Sequence, residues 1–368
     1  MENKTTRLEY LDAVRGIAAM MVVVYHFIGW KWGDYTKYHV ASMLFNGSDA
    51  VSFFFVLSGF VLSYKYFHSD IKLNLPRFTY KRILRLYPAF IVTIMLNFLY
   101  WNRGILMDGE ILEVLRDMFL FDKKDLLLEY MMVRNVHTYY IPGWTLGVEM
   151  ALSLLMPFLI LAGRRSIKIL WWFLPICLFL GSYISMFLMH FVLGTLLAYY
   201  YKEAKSFSWK TWKYKSWNIV ILAATLIFFS IRHIDRMFPF PPAYHHVADL
   251  LKLDFFHYTG IASAVILLWI ISKKKVQDFL QINVLKYLGK ISYSVYLMHW
   301  IFVVSVMDYW DKLIAYFPNY YLGFAVLLFL VIAGTLISAS LLYQFVELPF
   351  IKLARKSKWF KNKKYEIE

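Results

Sequence analysis

Apolar residues lie in long runs along this chain, and short polar segments separate the runs. Ten runs of mostly apolar residues have about 15–25 residues each, and about 20 such residues are enough for an α-helix to cross the hydrocarbon of a bilayer. The pattern therefore predicts an all-α integral membrane protein with about ten transmembrane helices, roughly at residues 10–30, 47–66, 83–101, 144–162, 169–185, 187–201, 216–232, 255–272, 288–307 and 321–345. The fifth and sixth runs are also compatible with one hairpin that does not cross fully, because Gly181, Ser182 and Ser185 interrupt the fifth and the sixth is short.

The distribution of positive charge predicts the orientation. With the N-terminus in the cytoplasm, ten crossings leave 28 of the 40 Lys and Arg residues in cytoplasmic segments and 11 in outer segments. Cytoplasmic loops carry such an excess, so both termini are expected to be cytoplasmic. The net charge of +16 then reflects orientation and anionic lipid, and we expect no nucleic-acid partner. The expected organisation is one transmembrane domain, residues 1–351, and a basic cytoplasmic tail, residues 352–368.

Composition argues against a soluble domain, and the cysteine and histidine spacings argue against disulfides and metal sites. A soluble domain of this length rarely has 60% hydrophobic and 20% aromatic residues. Cys177 is the only cysteine, which excludes an intrachain disulfide and a thiolate metal site. A group of outer-loop residues matches no closed zinc pattern, so no metal is expected there: His233, His245, His246, Asp249 and His257.

The longest segment between predicted spans, residues 102–143, contains one further helical pattern. Apolar residues recur at helical spacing from Ile111 to Phe119, with charged residues between them. This pattern predicts an amphipathic helix on the outer surface. Such a helix could be a lid over the bundle or a platform for an acceptor outside the cell, and the sequence leaves both open.

The first apolar run contains two ionisable residues, Arg15 and His26. An ionisable side chain at membrane depth is costly and is by default a candidate functional residue. His26 follows Arg15 by eleven positions, about three helical turns, so both side chains are expected on one face of the helix. Asp12 lies three residues before Arg15, which predicts a local ion pair.

A basic cluster precedes the third apolar run, and its Arg82 and Arg85 share a helical face. Cations at a helix N-terminus oppose the helix dipole, and a bound anion would relieve that conflict. The pair is therefore a candidate polyanion site. Basic residues at an inner membrane boundary also follow the positive-inside rule without binding anything, so that alternative stays open.

Glu149 lies about six residues inside the fourth apolar run, and His26 lies about four residues from the outer end of the first. Counted this way, the two are at similar depth. A buried carboxylate needs a partner, and a carboxylate beside an imidazole orients it. We therefore expect Glu149 to pair with His26, and the alternative is a structural ion pair with another helix.

Three further polar residues lie in or at the end of apolar runs. His299 is a candidate for catalysis or substrate contact, although a lone histidine in a membrane helix is more often a hydrogen-bonded packing residue. Ser58 could be a nucleophile, but the Ser58-Gly59 pair favours close helix packing. Glu347, just before Pro349, is expected to be a boundary residue at the end of the last helix.

Five motifs occur in order along the chain: Leu11-Asp12 with Arg15-Gly16 and His26 eleven residues after Arg15, Ser58-Gly59-Phe60, Arg82-x-x-Arg85 with Tyr87-Pro88, Trp144-x-Leu146-x-x-Glu149, and Tyr293-Ser294-x-Tyr296-Leu297-x-His299. Together they resemble the acyltransferase 3 family of bacterial integral-membrane O-acyltransferases, over about residues 8–350. Ala13 stands where many relatives have Gly. No hydrolase-like domain follows the last predicted helix, although some relatives carry one.

The resemblance implies an acyl-CoA donor, usually acetyl-CoA, used from the cytoplasm, and acyl transfer to a hydroxyl of a cell-envelope glycan or glycolipid. It implies that Arg82 and Arg85 hold the CoA phosphates, that Arg15 adds a cation, and that His26 is a general base assisted by Glu149. Asp12, Ser58, Trp144, Tyr293 and His299 are further candidate site residues. The implied location is the bacterial cytoplasmic (inner) membrane, surrounded by membrane lipid.

Several questions stay open at this level. Transfer could be direct or could pass through an acyl-histidine, and a separate envelope protein could accept the acyl group. The sequence is also compatible with a homo-oligomer. A proton-coupled transporter or a lipid-linked glycan flippase would equally use intramembrane Arg, His and Glu, although we see no paired internal repeat with broken helices. A passive assembly or receptor module would leave the arginine pair without a role.

Overall fold

A computed structural model describes residues 8–31, 46–120, 124–132, 139–181, 186–207, 215–250, 253–356 and 366–367. The helices are α1 (Glu9–Lys31), α2 (Gly47–Phe67), α3 (Leu75–Trp101), α4 (Arg103–Met107), α5 (Ile111–Leu120), α6 (Lys124–Tyr130), α7 (Gly143–Arg165), α8 (Ile167–Gly181), α9 (Leu188–Tyr199), α10 (Tyr201–Ser206), α11 (Lys215–Phe229), α12 (Ile231–Met237), α13 (Pro242–Leu250), α14 (Phe255–Ser272), α15 (Lys274–Leu280), α16 (Asn283–Asp308), α17 (Trp310–Ile314), α18 (Tyr320–Leu342) and α19 (Leu348–Lys356). A π-helical turn, Tyr343–Glu347, joins α18 to α19. Two short strands, β1 (Leu73–Asn74) and β2 (Glu366–Ile367), pair antiparallel.

Among the described residues, seven helices are long and apolar enough to cross a membrane: Glu9–Trp30, Gly47–Phe67, Leu75–Trp101, Gly143–Arg165, Phe255–Ser272, Asn283–Asp308 and Tyr320–Lys356. The other three predicted spans coincide with shorter apolar helices, Ile167–Leu178, Leu188–Tyr199 and Val220–Phe229. The chain is thus a helical, multi-pass membrane protein, while the count of ten and the orientation stay predictions. The predicted tail boundary at residue 352 falls within α19, and residues 357–365 and 368 of that tail lie outside the described residues.

Two glycines allow the backbones of α1 and α16 to touch. A Cβ on Gly289 would lie 2.4 Å from the carbonyl carbon of Asp12, and one on Gly16 would lie 2.8 Å from the backbone nitrogen of Gly289. His26 follows Gly16 by ten residues and His299 follows Gly289 by ten, and the two imidazoles meet. The two helices therefore run parallel and in register, and ten residues of rise carry each histidine about 15 Å from the glycine contact.

A second close helix contact uses the Ser58-Gly59 pair. A Cβ on Gly59 would lie 2.3 Å from the carbonyl oxygen of Phe191, and one on Gly194 would lie 2.0 Å from that of Val56. Small residues let helices approach in a membrane. The predicted packing role of this motif is confirmed for Gly59, and the contact turns Ser58 toward the interior, where it is buried.

Helix α3 begins at an N-cap that the sequence supplies. The Asn74 side chain accepts a hydrogen bond from the backbone N–H of Arg77, and a proline lies in the first turn. We call this end of the bundle the basic end: it holds Lys65 at the end of α2, Lys81 near the start of α3, Arg164 at the end of α7 and Arg355 in α19. The opposite end is called the far end.

At the far end, the chain enters the bundle before α7 begins. The indole N–H of Trp101, at the end of α3, donates to the carbonyl of Tyr139, and the Tyr140 ring lies 6.4 Å from that of Phe90, eleven residues earlier in α3. The buried carboxylate of Glu129 accepts from the backbone N–H groups of Tyr139 and Tyr140 at 3.0 and 2.7 Å. This contact satisfies two backbone donors where the segment turns inward.

The predicted amphipathic helix in segment 102–143 is confirmed as α5. Val114 and Met118 are buried in the same cluster as Phe98 of α3, whereas Leu112 is exposed. Helix α5 therefore covers the far part of α3 and keeps an apolar face free.

Candidate functional site: a cavity with paired arginines and a histidine pair

A cavity of about 510 Å³ lies between α1, α2, α3, α7, α16 and α19. Its lining begins with Lys65, Lys81 and Arg355 at the basic end and reaches Phe54, Thr145 and Tyr296 toward the far end. Seven of the residues selected from the sequence line it: Asp12, Arg15, Ser58, Arg82, Arg85, Glu149 and Tyr293. Three do not, namely His26, Trp144 and His299.

Three of the four arginines that line the cavity form an ion pair, and these three lie deeper than Arg355. Arg15 pairs with Asp12 at 3.1 Å, which confirms the predicted local pair. Arg82 pairs with Glu149 at 3.0 Å, and Arg85 pairs with Glu347 at 3.1 Å. The guanidinium charges are thus balanced, which reduces the cost of holding them at this depth.

Glu149 binds Arg82 rather than His26, which corrects the pairing expected from the sequence. Its Oε1 accepts from Arg82 Nη2 and, at 3.4 Å, from the hydroxyl of Ser58. Arg82 Nη2 also donates to Ser153 Oγ at 2.8 Å. The alternative interpretation, an ion pair with another helix, is the one that the structure supports.

The expected pairing failed because α7 begins inside the bundle. Thr145 of α7 contacts Tyr296 of α16, hydroxyl to hydroxyl, at 2.7 Å. From that contact, Glu149 is about 6 Å closer to the basic end along α7, and His299 is about 4.5 Å closer to the far end along α16. The carboxylate and the histidine pair are therefore about 10 Å apart along the bundle.

Glu347, expected to be a boundary residue, is instead buried, with 2% of its surface exposed. Besides the Arg85 pair, its Oε2 accepts from the Ser294 hydroxyl at 2.7 Å. The π-helical turn that ends at Glu347 departs from the regular α-helical register, and such turns occur frequently at functional sites. Sequence reasoning missed this residue, although an acidic residue at the end of the last apolar run was a signal that it could have used.

His26 and His299 form a hydrogen bond, with Nδ1 of His26 3.0 Å from Nε2 of His299. Nδ1 of His299 lies 2.5 Å from the carbonyl oxygen of Tyr296, which only accepts, so that nitrogen carries a proton. When both rings are neutral, Nε2 of His299 is the acceptor and Nδ1–H of His26 is the donor. The network thus leaves the lone pair on Nε2 of His26.

Tyr296 separates the cavity from the histidine pair. Its hydroxyl is bound to Thr145 and lies 3.2 Å from the carbonyl of Pro142, and its carbonyl accepts from the Tyr140 hydroxyl at 2.8 Å. The Phe54 ring lies 6.3 Å from the Tyr296 ring on the cavity side. Tyr296 lines the cavity and, through its backbone carbonyl, bonds to His299, so this one residue links the cavity to the histidine pair.

The other selected residues have distinct surroundings. The Tyr293 hydroxyl donates to the carbonyl of Leu86 at 2.7 Å, which links α16 to α3. Trp144 is 36% exposed and its ring lies 5.9 Å from that of Phe187, away from the cavity. Tyr296 was missed as a candidate, although Tyr293, Tyr296 and His299 share a helical face at a spacing of three residues.

In the described ranges, no group of three or more His, Cys, Asp or Glu side chains is arranged to hold a metal ion. Among the histidines of the predicted outer loop, His245 lies 3.7 Å from the carboxylate of Asp235. His233 is fully buried.

Comparison with protein families gives one match. The model of an acyltransferase domain, Acyl_transf_3, matches residues 8–343, nearly the whole chain. Neither the comparison with curated proteins nor that with solved structures finds a match.

Proposed function

Because the chain belongs to the acyltransferase family whose model matches residues 8–343, we propose that it moves an acyl group, in the simplest case acetyl, from acyl-CoA to a hydroxyl of a cell-envelope glycan or glycolipid. The donor enters from the cytoplasm, and the protein lies in the bacterial cytoplasmic membrane. Membrane lipid surrounds it. The observation that carries the proposal is the arginine-lined cavity that runs from the basic end to the residue holding the His26–His299 pair.

Arg15, Arg82 and Arg85 are proposed to contact the donor along the cavity. Each guanidinium has five N–H donors, and the ion pairs use only some of them. Nε of Arg82 is buried with no hydrogen-bond partner in the described part of the chain. A bound donor with amide and phosphate oxygens would satisfy such groups.

His26 is the proposed general base. Its Nε2 lone pair takes the proton of the acceptor hydroxyl while that oxygen attacks the thioester carbonyl. The carbon–sulfur bond then breaks, and the CoA sulfur leaves with the proton from His26. The acyl carbon reaches His26 past Tyr296, so the proposal requires the Tyr296 and Phe54 side chains to move during transfer.

His299 replaces Glu149 as the residue proposed to orient His26. It accepts from Nδ1–H of the base and is itself held by a backbone carbonyl, an arrangement that fixes both the tautomer and the ring orientation. Glu149 is proposed to hold Arg82 instead.

The test uses inverted membrane vesicles from cells that make the protein, with labelled acetyl-CoA as donor. Mass spectrometry follows acetyl groups in the envelope glycans and lipids, and CoA release is measured in parallel. We expect His26→Ala to lower transfer by about 100-fold or more, the scale of a lost general base. His246→Ala, at an exposed histidine, is the matched control and keeps full transfer. Full activity of His26→Ala would refute the role of His26, and substrate movement without any acyl product would favour a transporter.

A further inference from the structure

Positive and negative charges are distributed unequally along the cavity. Six cations line it: Arg15, Lys65, Lys81, Arg82, Arg85 and Arg355. The three arginines deeper in the cavity each bind one carboxylate. Across the described ranges, Lys65, Lys81 and Arg355 make no ion pair with a carboxylate. In the deeper part of the cavity the charges of the arginines are thus balanced by carboxylates, whereas the cations at the basic end are not balanced in this way.

The unbalanced cations come from three different helices, α2, α3 and α19. Lys81 repels both Lys65 and Arg355, and Arg77 adds to the repulsion on both lysines. The ammonium of Lys65 lies over the Tyr66 ring, 4.5 Å from its centroid. A general excess of basic residues at an inner membrane surface would not by itself bring three helices to one opening. A cleft lined by one sign of charge attracts a ligand of the opposite sign.

We propose that Lys65, Lys81 and Arg355 form a docking site for the phosphate groups of a nucleotide thioester, and that the ion-paired part of the cavity receives its uncharged arm. The proposal rests on the proposed function, in which the donor is acyl-CoA. CoA carries a diphosphate and a 3′-phosphate at one end and an amide-containing arm that ends in sulfur at the other. The charge pattern along the cavity matches that order.

This assignment divides the basic cluster of the sequence into two parts. Lys81 faces the opening without a carboxylate, whereas its neighbour Arg82 is held by Glu149 and Ser153. The charge-dense end of the donor therefore binds mainly to lysines and to Arg355, rather than to Arg82 and Arg85 alone.

The experiment measures binding of CoA, 3′-dephospho-CoA and pantetheine to the purified protein in detergent. We expect each of Lys65→Gln, Lys81→Gln and Arg355→Gln to raise the Kd for CoA by about tenfold, the effect of one lost charged hydrogen bond. Binding of pantetheine, which has no phosphate, is expected to be unchanged. Lys352→Gln is the matched control, because Lys352 is exposed on α19 and does not line the cavity.

The outcomes separate the two proposals. Unchanged CoA affinity in all three variants, with normal binding and transfer by the wild type, would overturn the docking site and leave the proposed function intact. A wild-type protein that neither binds CoA nor forms an acyl product would overturn both. A variant that no longer elutes as the wild type does is replaced by Lys65→Met, Lys81→Met or Arg355→Met, which removes the charge and keeps a long side chain. The same rise in the Kd for CoA is expected, and unchanged CoA affinity in these variants overturns the site.

Discussion

The hydrogen bond between His26 and His299 leaves Nε2 as the nitrogen of His26 that can accept a proton. His299 is oriented by a carbonyl of its own helix, and it presents Nε2 to His26. The proposed base is therefore assisted by a neutral imidazole rather than by a carboxylate. A neutral partner holds the tautomer, but it balances less of the charge that appears on His26 when it takes a proton.

Replacing His299 tests this arrangement. In His299→Phe, His26 loses its imidazole partner, and we expect kcat to fall by about 100-fold with little change in the KM for acetyl-CoA, because the proposed donor cavity is not lined by His299. His299→Gln keeps an acceptor oxygen and is expected to recover part of kcat. The measurement is initial-rate kinetics over a range of acetyl-CoA concentrations. Equal losses in both variants, or a change confined to KM, would contradict a positioning role.

Glu149 shows which features of the site can be predicted from single residues and which cannot. The ionisable residues in apolar runs could be selected as candidates, because their cost at membrane depth is visible in the sequence. The local partner of Arg15 was predicted as well, but the partner of Glu149 on another helix was not, because such a partner is set by the depth at which each helix begins. The inward segment before α7, held by Glu129, moves Glu149 away from His26 and toward Arg82.

At the scale of elements, the contact between α1 and α16 brings the two histidines together. Gly16 and Gly289 have no side chains that would separate the two backbones. Because the helices pack parallel and in register, the residues ten positions later, His26 and His299, also meet. The same contact places Asp12 and Arg15 beside α16 on the cavity wall.

Adding a methyl group at this contact is expected to displace the pair. In Gly289→Ala, the new Cβ would meet backbone atoms of Asp12 and Ala13 at 2.4–2.6 Å, and backbone cannot rotate away as a side chain can. We expect the free energy of unfolding to fall by about 1–3 kcal/mol, the usual cost of an overpacked site, and the transfer activity to fall with it. Thermal unfolding in detergent and the vesicle assay measure the two effects.

Gly104→Ala is the control for that substitution, since no atom lies within 4 Å of the Cβ it would add. It is expected to behave as the wild type. If Gly289→Ala also unfolded and reacted like the wild type, the close contact would not be required for the position of His299.

The helices themselves were largely predictable, and their register was not. Each of the seven membrane-crossing helices coincides with a predicted apolar run, because hydrophobicity and length decide such helices. The third began earlier than expected, at Leu75, since the cap at Asn74 lies outside the apolar run. The π-helical turn that ends at Glu347 could not be predicted from the pattern of apolar residues. It changes the direction in which the following side chains point, but it does not change the composition of the segment.

At the scale of the whole molecule, the two ends of the bundle differ in the side chains that line the cavity. Cationic side chains collect at one end, ion pairs line the middle, and the histidine pair lies beyond Tyr296. The donor and the acceptor would therefore approach from opposite sides, which agrees with the excess of basic residues predicted for the cytoplasmic side.

Sidedness is the corresponding prediction. Labelled acetyl-CoA supplied to sealed inverted vesicles, whose cytoplasmic face is outward, is expected to support transfer, whereas the same donor supplied to sealed right-side-out vesicles is not, because the charged nucleotide cannot cross lipid. Opening the right-side-out vesicles should restore activity. Transfer from either side before opening would contradict the orientation of the basic end.

The residue layer at Phe54, Thr145 and Tyr296 has a consequence for the cell as well as for the reaction. Cells store energy as ion gradients across membranes, and a water-filled passage through a membrane protein would discharge such a gradient. The Tyr296 hydroxyl is bound to Thr145 and lies near the carbonyl of Pro142, so the side chain closes the cavity in this conformation and moves only when the proposed transfer takes place. A large opening at the basic end can then coexist with electrical insulation between transfers.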